Sequence, residues 1–367
     1  MGFLEEVYSG EGPYATVYLE NRPAGEDAAE QWELRWQGLR QQLLAEGTDQ
    51  PTLAALDEAL TPSRPGNAVR HGRVLVAASG QIRLDRPLPD DPVTPVTDQA
   101  TWAPLPHLIP LLAAEGRRVP HILVIADRIG ADVHLAAEGT ERVSIIDGMD
   151  NQLRKVQAGG WSHRRFQQRA ENHWEQNATL VADEVARLAV RHRVKLVVLA
   201  GDVRARTAIA SHLPANVASL VVETDHGSRA AGAAQDPLRA EIRRLLTETA
   251  RREHSELIAR FQEAIASTGR AVEGLEATVE TLRLGQVATL LLPSQGTRHH
   301  LWVGPKPTEI AVTRGELERM GVEEYAYDRA DAALLRACVG TGAGFELLSE
   351  DDPPMTDGVG VLLRYQL

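Results

Sequence analysis

The sequence is poor in cysteine and lysine, and it has no long apolar run. Its 367 residues include one cysteine, Cys338. That excludes an internal disulfide framework and any cysteine-rich zinc or iron–sulfur site, so a reduced, cytoplasmic protein is expected. No apolar run approaches the ~18–20 residues that span a bilayer, so no membrane partner is expected. The first ten residues carry Glu5 and Glu6 and no basic stretch, so no secretory leader is expected. Glu6 also stands where a myristoylation signal has Ser or Thr. Of 39 basic residues only Lys155, Lys195 and Lys306 are lysine; this bias fits genome composition better than RNA recognition. Against 51 acidic residues the net charge is −12. That argues against a whole-surface nucleic-acid binder, DNA included, but permits one local basic site. At 43% hydrophobic and 25% charged, the chain has the composition of a folded domain protein.

The length predicts two or three domains, and the patterning divides the chain at about 115 and 267. Residues 1–115 are expected to form an N-terminal α/β domain. It has a strand at 14–19, a helix at 27–46 bearing Trp32, Trp36, Leu39 and Leu43 on one face, a helix at 51–60 and a strand at 73–78. Seven prolines between 86 and 110 predict an irregular surface connector with no helix, although proline also suits extended edge strands. Residues 116–267 are expected to form a mixed-sheet middle domain. A three-strand meander over 121–146 precedes a long helix from about 162, in which Phe166, Ala170, Trp174, Ala178, Val181, Val185 and Leu188 define one apolar face. A strand at 195–200, a helix at 205–212, a strand at 220–223 and a second long helix from Pro237 complete it. Residues 268–367 alternate helix and strand and are expected to form a small C-terminal α/β sandwich. Within it, Thr313 and Glu316 have capping-box spacing.

The most informative stretch is Arg154-Lys155-Val156-Gln157-Ala158-Gly159-Gly160-Trp161-Ser162-His163-Arg164-Arg165-Phe166. Adjacent glycines let a backbone approach another surface closely, and a large aromatic follows them. Arg154, Lys155, Arg164, Arg165 and Arg169 flank the pair. From 151 to 206 there are eleven Lys/Arg against five Asp/Glu, a net of +6, which leaves −18 for the remainder. One loop-and-helix unit meeting a polyanion while the rest repels it has this asymmetry. Arg164 and Arg165 also oppose the dipole of the helix they begin, at a cost of a few tenths of a kcal/mol each, by rough estimate. The loop at 151–161 is expected to be exposed and poorly ordered alone, because glycines and solvated charges bury little.

Gly159-Gly160-Trp161-Ser162-His163-Arg164-Arg165-Phe166, leading into a long helix, resembles the Gly-Gly-Gln loop of the archaeo-eukaryotic class I release factor and Pelota family. Gly285 to Leu292 resembles the start of that family's third domain, and Asp357 to Tyr365 its C-terminal signature. The resemblance covers about 120–367 in order. It does not extend to a stop-codon-reading domain, since no Asn-Ile-Lys-Ser motif is present. It points to the bacterial branch of the family, which includes ribosome hibernation factors, and implies a three-domain α/β architecture. It further implies a 70S ribosome partner, occupancy of the A site beside elongation factor Tu, and entry of the 157–169 loop into the peptidyl-transferase centre of 23S rRNA. Gln157, Gly159, Gly160, Trp161, Ser162 and His163 would then touch rRNA bases and backbone. Arg154, Lys155, Arg164, Arg165 and Arg169 would meet its phosphates.

One departure decides the chemistry. The release-motif Gln is Trp161 here, and indole offers one N–H donor and no acceptor. It can stack on an unpaired base, worth ~1–3 kcal/mol, but cannot replace a carboxamide. The expected role is therefore occupancy of the ribosome, for hibernation or stress protection, with no catalytic residue, cofactor or metal. The alternative is a peptidyl-tRNA hydrolase rescuing stalled ribosomes, with Gln157, Gln167 or Gln168 standing in. Weaker signals read as structure: Gly340 to Gly344 as a turn, Trp32 and Trp36 as core, Cys338 as an inert buried thiol. His299-His300 lacks a third nearby ligand of the right type, and Asp225-His226 lies in a polar loop, so neither is expected to hold a metal.

Overall fold

The computed structural model describes residues 2–20, 28–60, 72–89, 92–127, 130–137, 140–147, 162–229 and 236–365. The fold is mixed α/β in two compact units, Met1–Arg117 with Glu256–Leu367, and Arg118–Ser255.

The first unit opens with α1 (Gly2–Tyr8), β1 (Tyr14–Leu19), α2 (Ala28–Ala45), α3 (Gln50–Leu60), β2 (Arg73–Ala78), β3 (Gln81–Pro87), β4 (Gln99–Ala103) and α4 (Ile109–Glu115). The strands form an antiparallel sheet in the order β3-β2-β1-β4. β1 is central and buried throughout, and its period of two splits it between two cores. Ala15, Val17 and Leu19 join Trp32, Trp36, Leu39 and Leu43 of α2 on one face. Tyr14 and Tyr18 meet α1 and α4 on the other. Both tryptophans are thus core, as expected. The proline-dense stretch is extended at a sheet edge, as proline suits, but departs from expectation in leading into a helix. It supplies the edge strand β4, which lies between Pro95 and Pro104, and α4, which has Pro110 in its first turn. A first-turn proline lacks only an N–H that the helix leaves unused.

The second unit contains β5 (His121–Ala126), β6 (Gly130–Ala137), β7 (Thr140–Asp147), α5 (Ser162–Arg191), β8 (Leu196–Gly201), α6 (Val203–His212), α7 (Ala215–Ala218), β9 (Val221–Glu223) and most of α8 (Asp236–Glu263). The sheet order is β7-β6-β5-β8-β9: an antiparallel meander joined through β5 to two parallel strands. Ala178, Val181, Val185 and Leu188 of α5 bury against Ile122, Val124, Val197 and Leu199 and against Ile209 of α6. Leu245 of α8 packs with Leu196 and Val198 in a second cluster. Gly201 ends β8 at φ +98°, where a Cβ would sit 2.0 Å from the Ala126 carbonyl oxygen. Only glycine permits that approach.

The chain then returns to the first unit through β10 (Ala271–Glu273), α9 (Leu275–Arg283), β11 (Val287–Pro293), β12 (His300–Val303), β13 (Ile310–Ala311), α10 (Arg314–Arg319), β14 (Ala326–Arg329), α11 (Ala330–Gly340), β15 (Gly344–Leu348) and β16 (Gly360–Leu363). Two sheets result, β10-β16-β11-β15 and β13-β12-β14. At α10 the Thr313 hydroxyl donates to Glu316 Oε1 at 2.8 Å instead of capping a backbone N–H. The spacing therefore places the helix start, but the reciprocal box does not form. One core runs from Leu4, Val7 and Tyr18 to Leu334, Leu335 and Val361. It is pinned where Asp328, 5% exposed, accepts the Leu105 N–H at 2.7 Å and lies 3.1 Å from His107 Nε2.

Candidate functional site

The helix that follows the glycine pair is placed by the strand that precedes it. Asp147 ends β7 opposite Gly130, and Ala131 lies opposite Ala126. β7 therefore leaves the sheet at the edge where β5, β8 and β9 also end. α5 runs back the other way, finishing at Arg191 before β8 starts at Leu196. A small pocket at that carboxyl edge is lined by Asp127, Gly130, Asn177, Ala178 and Val181, which sets Asn177 level with the strand ends. The fifteen residues 162–176 thus extend past the sheet, about 22 Å at 1.5 Å per residue. Residues 148–161 join the edge to that helix tip.

Arg154, Lys155, Gln157, Gly159, Gly160 and Trp161 lie outside the described residues, and so does the expectation of an exposed 151–161 loop. Ser162, His163, Arg164, Arg165 and Arg169 form the first turns of α5 as helical backbone. The structure thus confirms a helix start at 162 and its apolar face from Ala178 onward.

Around the same edge, charge is used to fix loops. Arg229 donates to Asp127 and Asp132, each at 3.1 Å. Asp202 caps α6 by accepting the backbone N–H groups of Arg204 and Ala205, a standard N-terminal contact. Arg206, 3% exposed, donates to the Thr224 carbonyl and to Asp225 Oδ1, tying down the chain after β9. The sequence signalled none of this, because Arg206 reads as one more basic residue on a helix. These carboxylates hold backbone and guanidinium groups and form no acid–base pair.

Among the described residues no three His, Cys, Asp or Glu side chains converge. His300 stacks on Tyr327, ring centres 5.2 Å apart, and Asp225 is engaged by Arg206. In the Gly340–Gly344 turn, the N–H groups of Thr341, Gly342 and Ala343 bond back into α11, and Arg364 donates to the Thr341 and Gly342 carbonyls. The turn therefore offers no N–H cradle for a phosphate. Cys338 is fully buried, and that burial pushes its thiol up to about 12. Native protein at pH 8 is expected to resist thiol alkylation and to react only on unfolding. Its contribution to stability is complete below the unfolded thiol pKa of ~8.5. It declines as pH rises above that, because the unfolded chain loses the proton and the folded chain keeps it. Rapid alkylation without unfolding would contradict this.

Residues 120–267, the five-stranded unit with α5 and α8, match bacterial archaeo-eukaryotic release factor family 2. Two relatives, the uncharacterized proteins Rv2629 and MT2704 of two Mycobacterium tuberculosis strains, are each 32% identical over 370 residues, covering 99% of this chain and 96% of theirs. Among solved structures, archaeal Pelota bound to the ribosome with ABCE1 matches at 16% identity and TM-score 0.41, over 99% of this chain and 94% of that one. Archaeoglobus fulgidus Pelota matches at 16% and 0.34, over 97% and 98%. S. cerevisiae Dom34 matches at 11% and 0.36, over 68% and 65%. With a relative aligned along almost its whole length and the family pattern falling on the unit that carries the glycine pair, the chain belongs to the bacterial archaeo-eukaryotic release factor family.

Proposed function

We propose that this protein is a ribosome-binding translation factor that occupies the A site and brings Gly159-Gly160-Trp161 near the peptidyl-transferase centre without hydrolysing peptidyl-tRNA. Hibernation or protection of ribosomes under stress is the role that fits, with elongation factor Tu as a neighbour on the particle. The observation that carries the reading is the Gly-Gly-Trp sequence between β7 and the first turn of α5 in a release-factor family member. The glycines permit close approach. Trp161 removes the carboxamide that release chemistry uses and substitutes a stacking surface. The net of +6 over 151–206, in a chain of −12, directs this segment toward rRNA and the rest away from it.

The test combines binding with chemistry. Purified protein is mixed with 70S particles carrying peptidyl-tRNA in the P site. It is expected to co-sediment and to release no peptide. Multiple-turnover release, lost on changing Gln157, Gln167 or Gln168, would replace this reading with the hydrolase one. Failure to co-sediment would remove the ribosome from it.

A further inference from the structure

The far end of α5 carries a second basic cluster, at the opposite end of the helix from Ser162. Residues 187–195 contain Arg187, Arg191, Arg193 and Lys195 and no acidic residue. All four are exposed, as is Arg142 on β7. Arg142 acts electrostatically on Glu184, which Arg187 also binds at 2.7 Å, so the strand and the helix contribute to one patch. Lys195 pairs with Glu253 at 3.0 Å, and Asp183 is exposed one turn before Arg187. Arg191 and Arg193 have no carboxylate within ion-pair distance among the described residues.

Arg193 is also held in an unfavourable conformation. The helix ends with the Val194 N–H bonded to the Ala189 carbonyl at 3.0 Å, which puts Arg193 in the left-handed region at φ +50°. Glycine or asparagine is the usual occupant of that position. Complementing the helix dipole accounts for a cation in the last turn. It accounts neither for arginine at the left-handed position nor for Arg142 and Lys195 outside the helix. From Arg164 to Arg191 the axis advances 27 residues, about 40 Å. Basic groups thus stand at both ends of one rigid rod, with Glu171, Glu175, Asp183 and Glu184 between them.

We infer that Arg142, Arg187, Arg191, Arg193 and Lys195 form a second phosphate-backbone contact, which grips structured RNA about 40 Å along α5 from Arg164. This rests on the proposed ribosome binding and adds a separate anchor to it. Each phosphate contact contributes roughly 0.7–0.9 to the log–log salt slope.

The experiment uses full-length protein with Arg191→Gln and Arg193→Gly, singly and together. Melting temperature is measured, and binding is titrated with salt against 70S ribosomes, a naked rRNA duplex fragment and phosphatidylglycerol vesicles. The double variant is expected to bind ribosomes and RNA roughly 15–25-fold more weakly near 0.15 M salt, with a slope shallower by ~1.4–1.8. Arg193→Gly alone is expected to raise the melting temperature by about 2–4 °C while weakening binding, and a merely structural arginine would not couple those opposite changes. Unchanged affinity and slope on both ribosomes and RNA would overturn the inference and leave the proposed function standing. Arginine-dependent binding to naked RNA, with none to ribosomes, would uphold the RNA contact and remove the ribosomal reading. No binding to either would remove both. Arginine-dependent retention on vesicles in place of RNA would assign the patch to a lipid surface and overturn it.

Discussion

Replacing Arg164 and Arg165 with glutamate is expected to weaken association with 70S ribosomes by several hundred-fold, with little change in melting temperature. If Arg154, Lys155, Arg164, Arg165 and Arg169 each neutralise a phosphate, the patch accounts for a log–log salt slope of roughly −3.5 to −4.5. Near 0.15 M salt one contact is then worth about 0.6–0.7 log units relative to 1 M. Losing two contacts and adding two repulsions of similar size sums to about 2.5 log units. Both residues fall in the first turn of α5, beyond the sheet that the helix covers from Ala178 onward. Acidic residues there also complement the helix dipole, so the fold is expected to tolerate the change. Co-sedimentation of the double variant equal to that of the parent protein, across a salt series, would take this patch out of the interaction.

The second large effect concerns Trp161. Trp161→Ala is expected to weaken ribosome binding roughly fivefold to 150-fold, the value of one stacking contact of ~1–3 kcal/mol. The loss should be nearly independent of salt, which separates it from the arginine variants. Trp161→Gln recreates Gly-Gly-Gln after Ala158, yet at most slight peptide release is expected. Productive geometry has to be held to within ~0.5 Å by supporting residues, and supplying the carboxamide does not supply those residues. Normal binding by Trp161→Ala, measured by ribosome pelleting, would deny Trp161 a part in the contact. Brisk release by Trp161→Gln would show that one side chain separates an occupying factor from a releasing one.

Long periodic elements were legible in the residues. The apolar face read over Phe166 to Leu188 is buried in the structure from Ala178 onward, and the helix begins at Ser162, where it was expected. The meander and the run at 196–201 likewise read as strands because β-branched and apolar residues fill them. Several short strands were not legible: β10, β12, β13 and β14 have two to four residues each, too few for a period to show. The edge strand β4 agrees with proline's fitness for extended edges, whereas α4 was hidden by the proline count, which weighs residue type but not position.

The sequence by itself determined where the candidate site lies: two glycines, an aromatic in place of a carboxamide, and a local excess of arginine at the start of a helix. It also determined that the middle of the chain alternates strand and helix, because apolar spacing is a local property. Only the tertiary structure decided that β7 and the parallel strands end at one edge, since pairing register is set by partners far apart in sequence. It alone showed that the first and last hundred residues share a core. That association is made by groups more than 200 positions apart, such as the Leu105 backbone N–H and the Asp328 carboxylate, and no local pattern encodes it. It alone gave Arg193 its left-handed backbone. A left-handed residue follows from how a helix must end to bury Val194, and in sequence it is one arginine among many.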